Sequence, residues 1–204
     1  MTTPDITLYG LRLSGHSHRA ELFLALLGLP YRFVEAFPPT DELRRLNPLG
    51  QIPVLTDGDT VIADSNAILV YLAARYAPGG DWMPADAIGA AQVQRWLSIA
   101  AGDVRFGPAR ARVMAVFGTP GDRAAALALS ERVLTFMDGH LAGRDFLATA
   151  HPTLADLACY AYVAHAPEGG VSLDPYPAIR AWIGRVEALP GFVAMPSSPL
   201  PTAA

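Results

Sequence analysis

The stretch Asn47–Ser65, NPLGQIPVLTDGDTVIADS, decides how the rest of the chain is read. Asn47-Pro48-Leu49-Gly50 has the composition of a turn. Ile52-Pro53 opens a short strand, and Asp57-Gly58 is a tight hairpin signal that joins it to a second strand. Asp64-Ser65 then supplies the start of a helix. A proline at the first residue of a strand leaves the strand edge free rather than paired. Gln51, Ile52 and the Asp64-Ser65 helix terminus would therefore offer side-chain and backbone hydrogen bonds to one small extended peptide.

Working outward, Ile6 to Gly10 and Tyr31 to Ala36 alternate like strands. Between them, Ser17 to Leu27 is rich in Leu and Ala and ends at Gly28, with Pro30 just beyond, which marks a helix and its stop. A loop at Pro38-Pro39 leads to a short helical stretch, Asp41 to Leu46. After the hairpin a helix runs from Ser65 to about Ala77. The turn-rich segment 79–85 reads as a linker. Beyond it the pattern is helical: Ala85 to about Val116 with Gly107-Pro108 as the place for a break, Gly121 to Leu141, Thr153 to Ala164, and Tyr176 to Leu189. Thr153-Leu154-Ala155-Asp156 has the form of a capping box, with Asp in place of the commoner Glu or Gln. The proline-rich tail, 196–204, is expected to be disordered.

At the Asn47–Ser65 residues the chain resembles the cytosolic glutathione transferases. The resemblance implies a cis bond before Pro53, with Ile52 pairing backbone to backbone with the cysteinyl part of glutathione. It also implies that Gln51, Asp64 and Ser65 hold the γ-glutamyl end. The strand and helix order β-α-β-α-β-β-α matches that family's thioredoxin-like N-terminal half, expected here over residues 1–78. Its β-α-β unit calls for parallel strands and its hairpin for antiparallel ones, so the sheet should be mixed. An all-helical domain is expected over 86–195, and the Thr153–Asp156 cap also matches the family. Pairing into a homodimer is implied too, through the helix after Ser65 and the helix after residue 85, with Trp96 and Ile99 as contacts.

Composition narrows the function. The chain has 204 residues, 51% of them hydrophobic, with charged residues interrupting every apolar run well before the about 20 residues of a membrane span. MTTPDITLYG shows no basic start and no apolar signal core, so a soluble cytoplasmic protein is expected. The net charge of −4, without a Lys/Arg cluster, argues against nucleic acid as a partner. The single cysteine, Cys159, lies in an apolar helical run and reads as an inert core thiol.

An enzyme that uses glutathione must make its thiol nucleophilic. A free thiol has a pKa of about 8.5, so only a few per cent is thiolate at neutral pH. Lowering that by two units takes about 2.7 kcal/mol. One hydrogen bond to a charged acceptor is worth roughly 1.5–3 kcal/mol, and a helix N-terminus adds a few tenths to about 1 kcal/mol. A hydroxyl is therefore sought between the first strand and the first helix, in Leu13-Ser14-Gly15-His16-Ser17-His18-Arg19. Ser14 matches the active serine of the serine-type, phi-like transferases, and His16 falls where a second polar contact stands. Ser17 is the runner-up donor, and its placement suits the N-cap of the first helix. Tyr9 sits too early, inside the strand, to match the tyrosine-type members. His16 and His18, two residues apart, splay on a helix, and no metal site is expected.

Phi-type members place a His-Lys pair at the glycyl carboxylate of glutathione, where this chain has Pro38 and Pro39. Neither can supply a charge; Arg44 or Arg45 could reach in instead. A pocket for a small hydrophobic electrophile is expected to draw on Leu13, Phe106, Arg110 and Met114, with Asp103 and Arg105 facing a ligand or a neighbouring subunit. Two functions follow. One is a glutathione transferase that attacks an electrophilic carbon or reduces a disulfide or peroxide. The other is a non-catalytic relative that docks a protein partner, for which Pro38-Pro39 speaks.

Overall fold

The computed structural model describes residues 5–199. The chain divides into two compact units, one of Met1–Trp82 with Leu189–Pro196, the other of Met83–Ala188 with Ser197–Ala204. Residues 189–195, read from the sequence as part of the helical half, thus belong with the first unit, where the Val193 carbonyl accepts from His18 Nε2 at 2.8 Å. The first four residues of the N-terminal segment and residues 200–204 of the expected disordered tail lie outside the described residues.

The first unit runs β1 (Ile6–Gly10), α1 (Gly15–Leu26), β2 (Arg32–Glu35), α2 (Asp41–Leu46), β3 (Val54–Asp57), β4 (Thr60–Ala63) and α3 (Ser65–Tyr76). The strands form one mixed sheet in the order β2-β1-β3-β4, with β1 parallel to β2 and antiparallel to β3. The hairpin of β3 and β4 closes Asp57 against Thr60. Central position explains why β1 is buried at all five residues rather than at alternate ones. Tyr9 packs on one face with Val54, Ala36 and Leu43 of α2. Strand geometry turns its neighbour Leu8 to the opposite face, where α1 and α3 lie together. A thioredoxin-like unit results.

Helix α1 begins two residues before the sequence reading placed it. Ser14, not Ser17, is its N-cap: Ser14 has extended φ and ψ, and its side chain accepts from Ser17 N. Ser17 sits one turn in and fully buried, with its hydroxyl accepting from Leu11 N at 3.1 Å. The close fit explains Gly10, because a Cβ there would stand 2.6 Å from Ser17 Oγ and 2.8 Å from Ser17 Cβ.

The second unit is helical: α4 (Ala87–Ile99), a π-helical turn (Ala100–Val104), α5 (Pro108–Phe117), α6 (Arg123–Leu141), α7 (Leu154–Ala164), a 3-10 turn (Ala166–Gly169) and α8 (Pro177–Glu187). The break expected at Gly107-Pro108 is present, with proline in the first turn of α5, where its missing N–H costs nothing. Trp96, expected at a subunit contact, is instead buried inside its own unit, stacked 5.7 Å from the Phe136 ring and edge-on to His140 at 4.9 Å. Ile99 is only half-buried. Cys159 is fully buried, as read, with its sulfur donating to Trp96 O at 3.9 Å.

Two buried polar nodes organise this unit. At the start of α7 the capping box is complete, and Asp156 does more than cap. Its Oδ2 accepts from Thr153 N (2.9 Å) and Thr153 Oγ1 (3.1 Å); its Oδ1 accepts from Leu147 N and the Trp182 indole, both at 2.9 Å. Burial pushes this carboxyl above the usual aspartate range, against the pull of those four donors. The second node, not foreseen from sequence, pairs fully buried Arg112 with Glu168 at 2.8 Å, and Glu168 with His165 at 2.6 Å. Burial raises the Glu168 pKa, but the hydrogen bonds from His165 and the Ser198 backbone and the charges of Arg112 and His165 bring it below the usual value. The bond to Ser198 also holds a residue of the segment read as a loose tail.

Candidate active site

Three loops of the first unit carry the candidate residues. The first joins β1 to α1. Ser14 N donates to Leu11 O at 2.9 Å, which closes a turn, and Ser14 Oγ accepts weakly from Ser17 N at 3.4 Å. Ser14 is half-buried at the N-terminus of a twelve-residue helix, whose dipole favours negative charge beside it. Of the paired histidines, His18 turns inward to Val193, while His16 stays half-buried with Nδ1 3.4 Å from Ser65 Oγ. Leu13 lies in the same loop, half-buried. Tyr9 is far from any such role: its hydroxyl donates to Glu42 at 2.8 Å, and burial with that carboxylate raises its pKa.

The second loop leads into β3. The Ile52-Pro53 bond is cis, as the resemblance implies, and Pro53 is buried while Gln51 is exposed. Asn47, which the sequence reading treated only as a turn former, is 7% exposed and ties the loop together. Its Nδ2 donates to Gln51 O at 2.9 Å, its Oδ1 accepts from Leu49 N at 3.2 Å, and its backbone carbonyl accepts from Gly50 N. The Gln51–Pro53 backbone is thereby held from behind by a side chain. Arg44, at the end of α2, lies beside this turn: a Cβ on Gly50 would be 3.1 Å from Arg44 Nη1 and 3.6 Å from Pro39 Cβ.

The third is the start of α3. Asp64 has φ of 79°, a left-handed backbone that non-glycine residues rarely adopt and that marks functional turns. Its Oδ1 accepts from Asn66 N (2.9 Å) and Ala67 N (3.0 Å), but not from Ser65. Ser65 is 4% exposed and receives a hydrogen bond from Arg19 Nη1 at 2.8 Å; the same nitrogen reaches Asn66 Oδ1 at 2.7 Å. Arg19 is buried in the middle of α1, and the sequence reading passed over it. A lone arginine inside a Leu/Ala-rich helix was the available signal, since arginine is seldom fully buried without a polar purpose.

The remaining pocket candidates belong to the second unit. Phe106 is exposed, and Arg110 and Met114, one turn apart on α5, are half-buried. Arg110 donates to Pro120 O at 2.6 Å, and Asp103 is paired with Arg132 at 2.7 Å, so both have partners within their own unit. Among the described residues no group of three or more His, Cys, Asp or Glu could hold a metal ion.

The first unit thus combines a thioredoxin-like sheet with a cis-proline loop, a capped start of α3 and a serine at the N-cap of α1. Comparisons with known proteins agree. Residues 13–75 match the model of the glutathione S-transferase N-terminal domain, and residues 113–190 that of the C-terminal domain. Glutathione S-transferase 3 of Zea mays is 33% identical, over 97% of this chain and 97% of its own. Glutathione S-transferase theta-1 of Mus musculus is 32% identical, over 84% of this chain and 83% of its own. Among solved structures, the theta class glutathione S-transferase from Xanthomonas axonopodis pv. citri, with glutathione bound, superposes with a TM-score of 0.81. It is 30% identical, over 92% of this chain and 95% of that one. The chain belongs to the glutathione S-transferase family.

Proposed function

We propose that this protein is a glutathione transferase that binds glutathione in its first unit and uses Ser14 to stabilise the thiolate. The observation that carries the proposal is the position of Ser14 as the N-cap of α1. Its Oγ accepts from Ser17 N, which leaves its single O–H to donate. A thiolate that accepts this bond beside the α1 N-terminus gains most of the about 2.7 kcal/mol that a two-unit drop in pKa requires.

The other groups have distinct tasks in this reading. Ile52 supplies backbone hydrogen bonds to the cysteinyl residue, held in place by the Asn47 clamp on Gln51. Gln51, Asp64 and Ser65 take the γ-glutamyl end; Ser65 meets the carboxylate, and exposed Gln51 and Asp64 meet the ammonium and amide groups. Arg44, lying beside Gly50, takes the glycyl carboxylate in place of the His-Lys pair that Pro38 and Pro39 displace. His16 forms a polar wall of the thiol site. Ser17 is left a structural role by its full burial. The second substrate is a small hydrophobic electrophile, a disulfide or a peroxide, and Leu13 is its candidate contact on the first unit. The protein works as a cytoplasmic homodimer paired through α3 and α4, where Val70 and Ile88 are exposed apolar side chains.

Calorimetric titration with glutathione, followed by turnover of a panel of aryl halides, hydroperoxides and mixed disulfides, tests the reading. Binding below millimolar together with turnover of at least one class is expected. A wild type that does not bind at millimolar glutathione would sink it and favour a protein-docking role.

A further inference from the structure

We propose that Arg19 is a positioning residue for carboxylate capture, acting through Ser65: its buried guanidinium keeps the Ser65 hydroxyl a hydrogen-bond donor. The inference rests on the reading that Ser65 receives the γ-glutamyl carboxylate of glutathione.

The geometry gives the direction of each bond. A guanidinium has only donors, so at 2.8 Å from Arg19 Nη1 the Ser65 oxygen must accept. That leaves the single O–H of Ser65 to donate elsewhere. Its described neighbour is His16 Nδ1, at 3.4 Å, which is long for an O–H donor. A carboxylate at the start of α3 is a stronger acceptor than this distant nitrogen and takes the hydrogen over. Arg19 also holds Asn66 Oδ1 at 2.7 Å, so one nitrogen anchors the first two residues of α3. Asp64, which spends its Oδ1 on Asn66 N and Ala67 N, leaves the anion to Ser65.

The test compares two peptides on wild type, R19M, S65A and the double variant. One peptide is glutathione; the other, γ-aminobutyryl-cysteinylglycine, is glutathione without the γ-glutamyl α-carboxylate. R19M is expected to weaken glutathione by about tenfold with kcat at saturation within about twofold. It should leave the decarboxylated peptide within about twofold of wild type, and its effect should vanish in the S65A background. Equal losses for both peptides, or a full R19M effect with S65A already present, would overturn the proposal and assign Arg19 a merely structural part. If R19M fails to fold, R19K is read the same way: a smaller loss confined to glutathione supports the proposal, and an equal loss for both peptides overturns it. Failure of the wild type itself to bind glutathione removes the underlying reading and this inference together, and is seen before any variant is made.

Discussion

Replacing Asp156 by alanine should cost more stability than any other single change in the helical unit described above. The carboxylate accepts four hydrogen bonds, two on each oxygen, from Thr153 N, Thr153 Oγ1, Leu147 N and Trp182 Nε1. Alanine strands three buried N–H donors, each at about 1–3 kcal/mol, while the threonine hydroxyl can rotate to another acceptor. Against this, removing a carboxylate whose pKa is raised by burial relieves its desolvation. We therefore take the lower part of the range, about 4–5 kcal/mol, which is exceptional for a point mutation and comparable with the whole stability of a small domain. Thr153→Ala, which loses only a cap hydroxyl, should cost about 1 kcal/mol. Urea unfolding at neutral pH, followed by helical circular dichroism and by fluorescence, measures both. A D156A protein within about 2 kcal/mol of wild type at an unchanged urea slope would refute the account of this node.

Three further outcomes are expected. Asp64→Ala should destabilise by about 1–2 kcal/mol from the lost cap, the φ of 79° straining alanine as it strains aspartate; Asp64→Gly loses the cap but sheds that strain and should lose less than about 1 kcal/mol, and the reverse order in thermal melts would count against the strain. Glu168 has a depressed pKa in the folded state, so its stabilisation is present above the usual 4.5 and is lost as pH falls through the folded value. Glu168→Gln should cost about 3 kcal/mol at pH 7 by taking the carboxylate away from buried Arg112, and the gap to wild type should hold down to the usual value of 4.5 and narrow only below it; a gap independent of pH would contradict the pairing. Gly10→Ala should cost about 1–3 kcal/mol, because its Cβ meets Ser17 within 3 Å, and melts that match wild type would show that the β1–α1 junction yields freely.

Much of this architecture was legible because local chemistry and tertiary demand coincide. Asp57-Gly58 is a hairpin in sequence and in space, Asp41–Leu46 is helical with acids in its first turn and arginines in its last, and Thr153 and Asp156 cap where spacing placed them. The misreadings share one cause: the deciding partner is distant in sequence. Ser17 looked like an N-cap until Leu11 N claimed its hydroxyl and Ser14 took the cap. Trp96 looked like a contact for another subunit, yet Phe136 and His140 cover it from forty residues away, more or less. Arg19 and Ser65 lie on different helices, as do Arg112 and Glu168's turn, and no periodicity couples such positions. The Asn47 clamp was hidden for a different reason, because turn composition reports that a chain bends and not which side chain ties the bend.

Whether Ser14 holds a glutathione thiolate is read from the pH titration of thiolate absorbance in saturated complexes. Wild type should show a bound thiol pKa about two units below the free value of about 8.5, while Ser14→Ala, still binding glutathione, should return most of the way to it. A thiol that titrates alike in both proteins would contradict the claim.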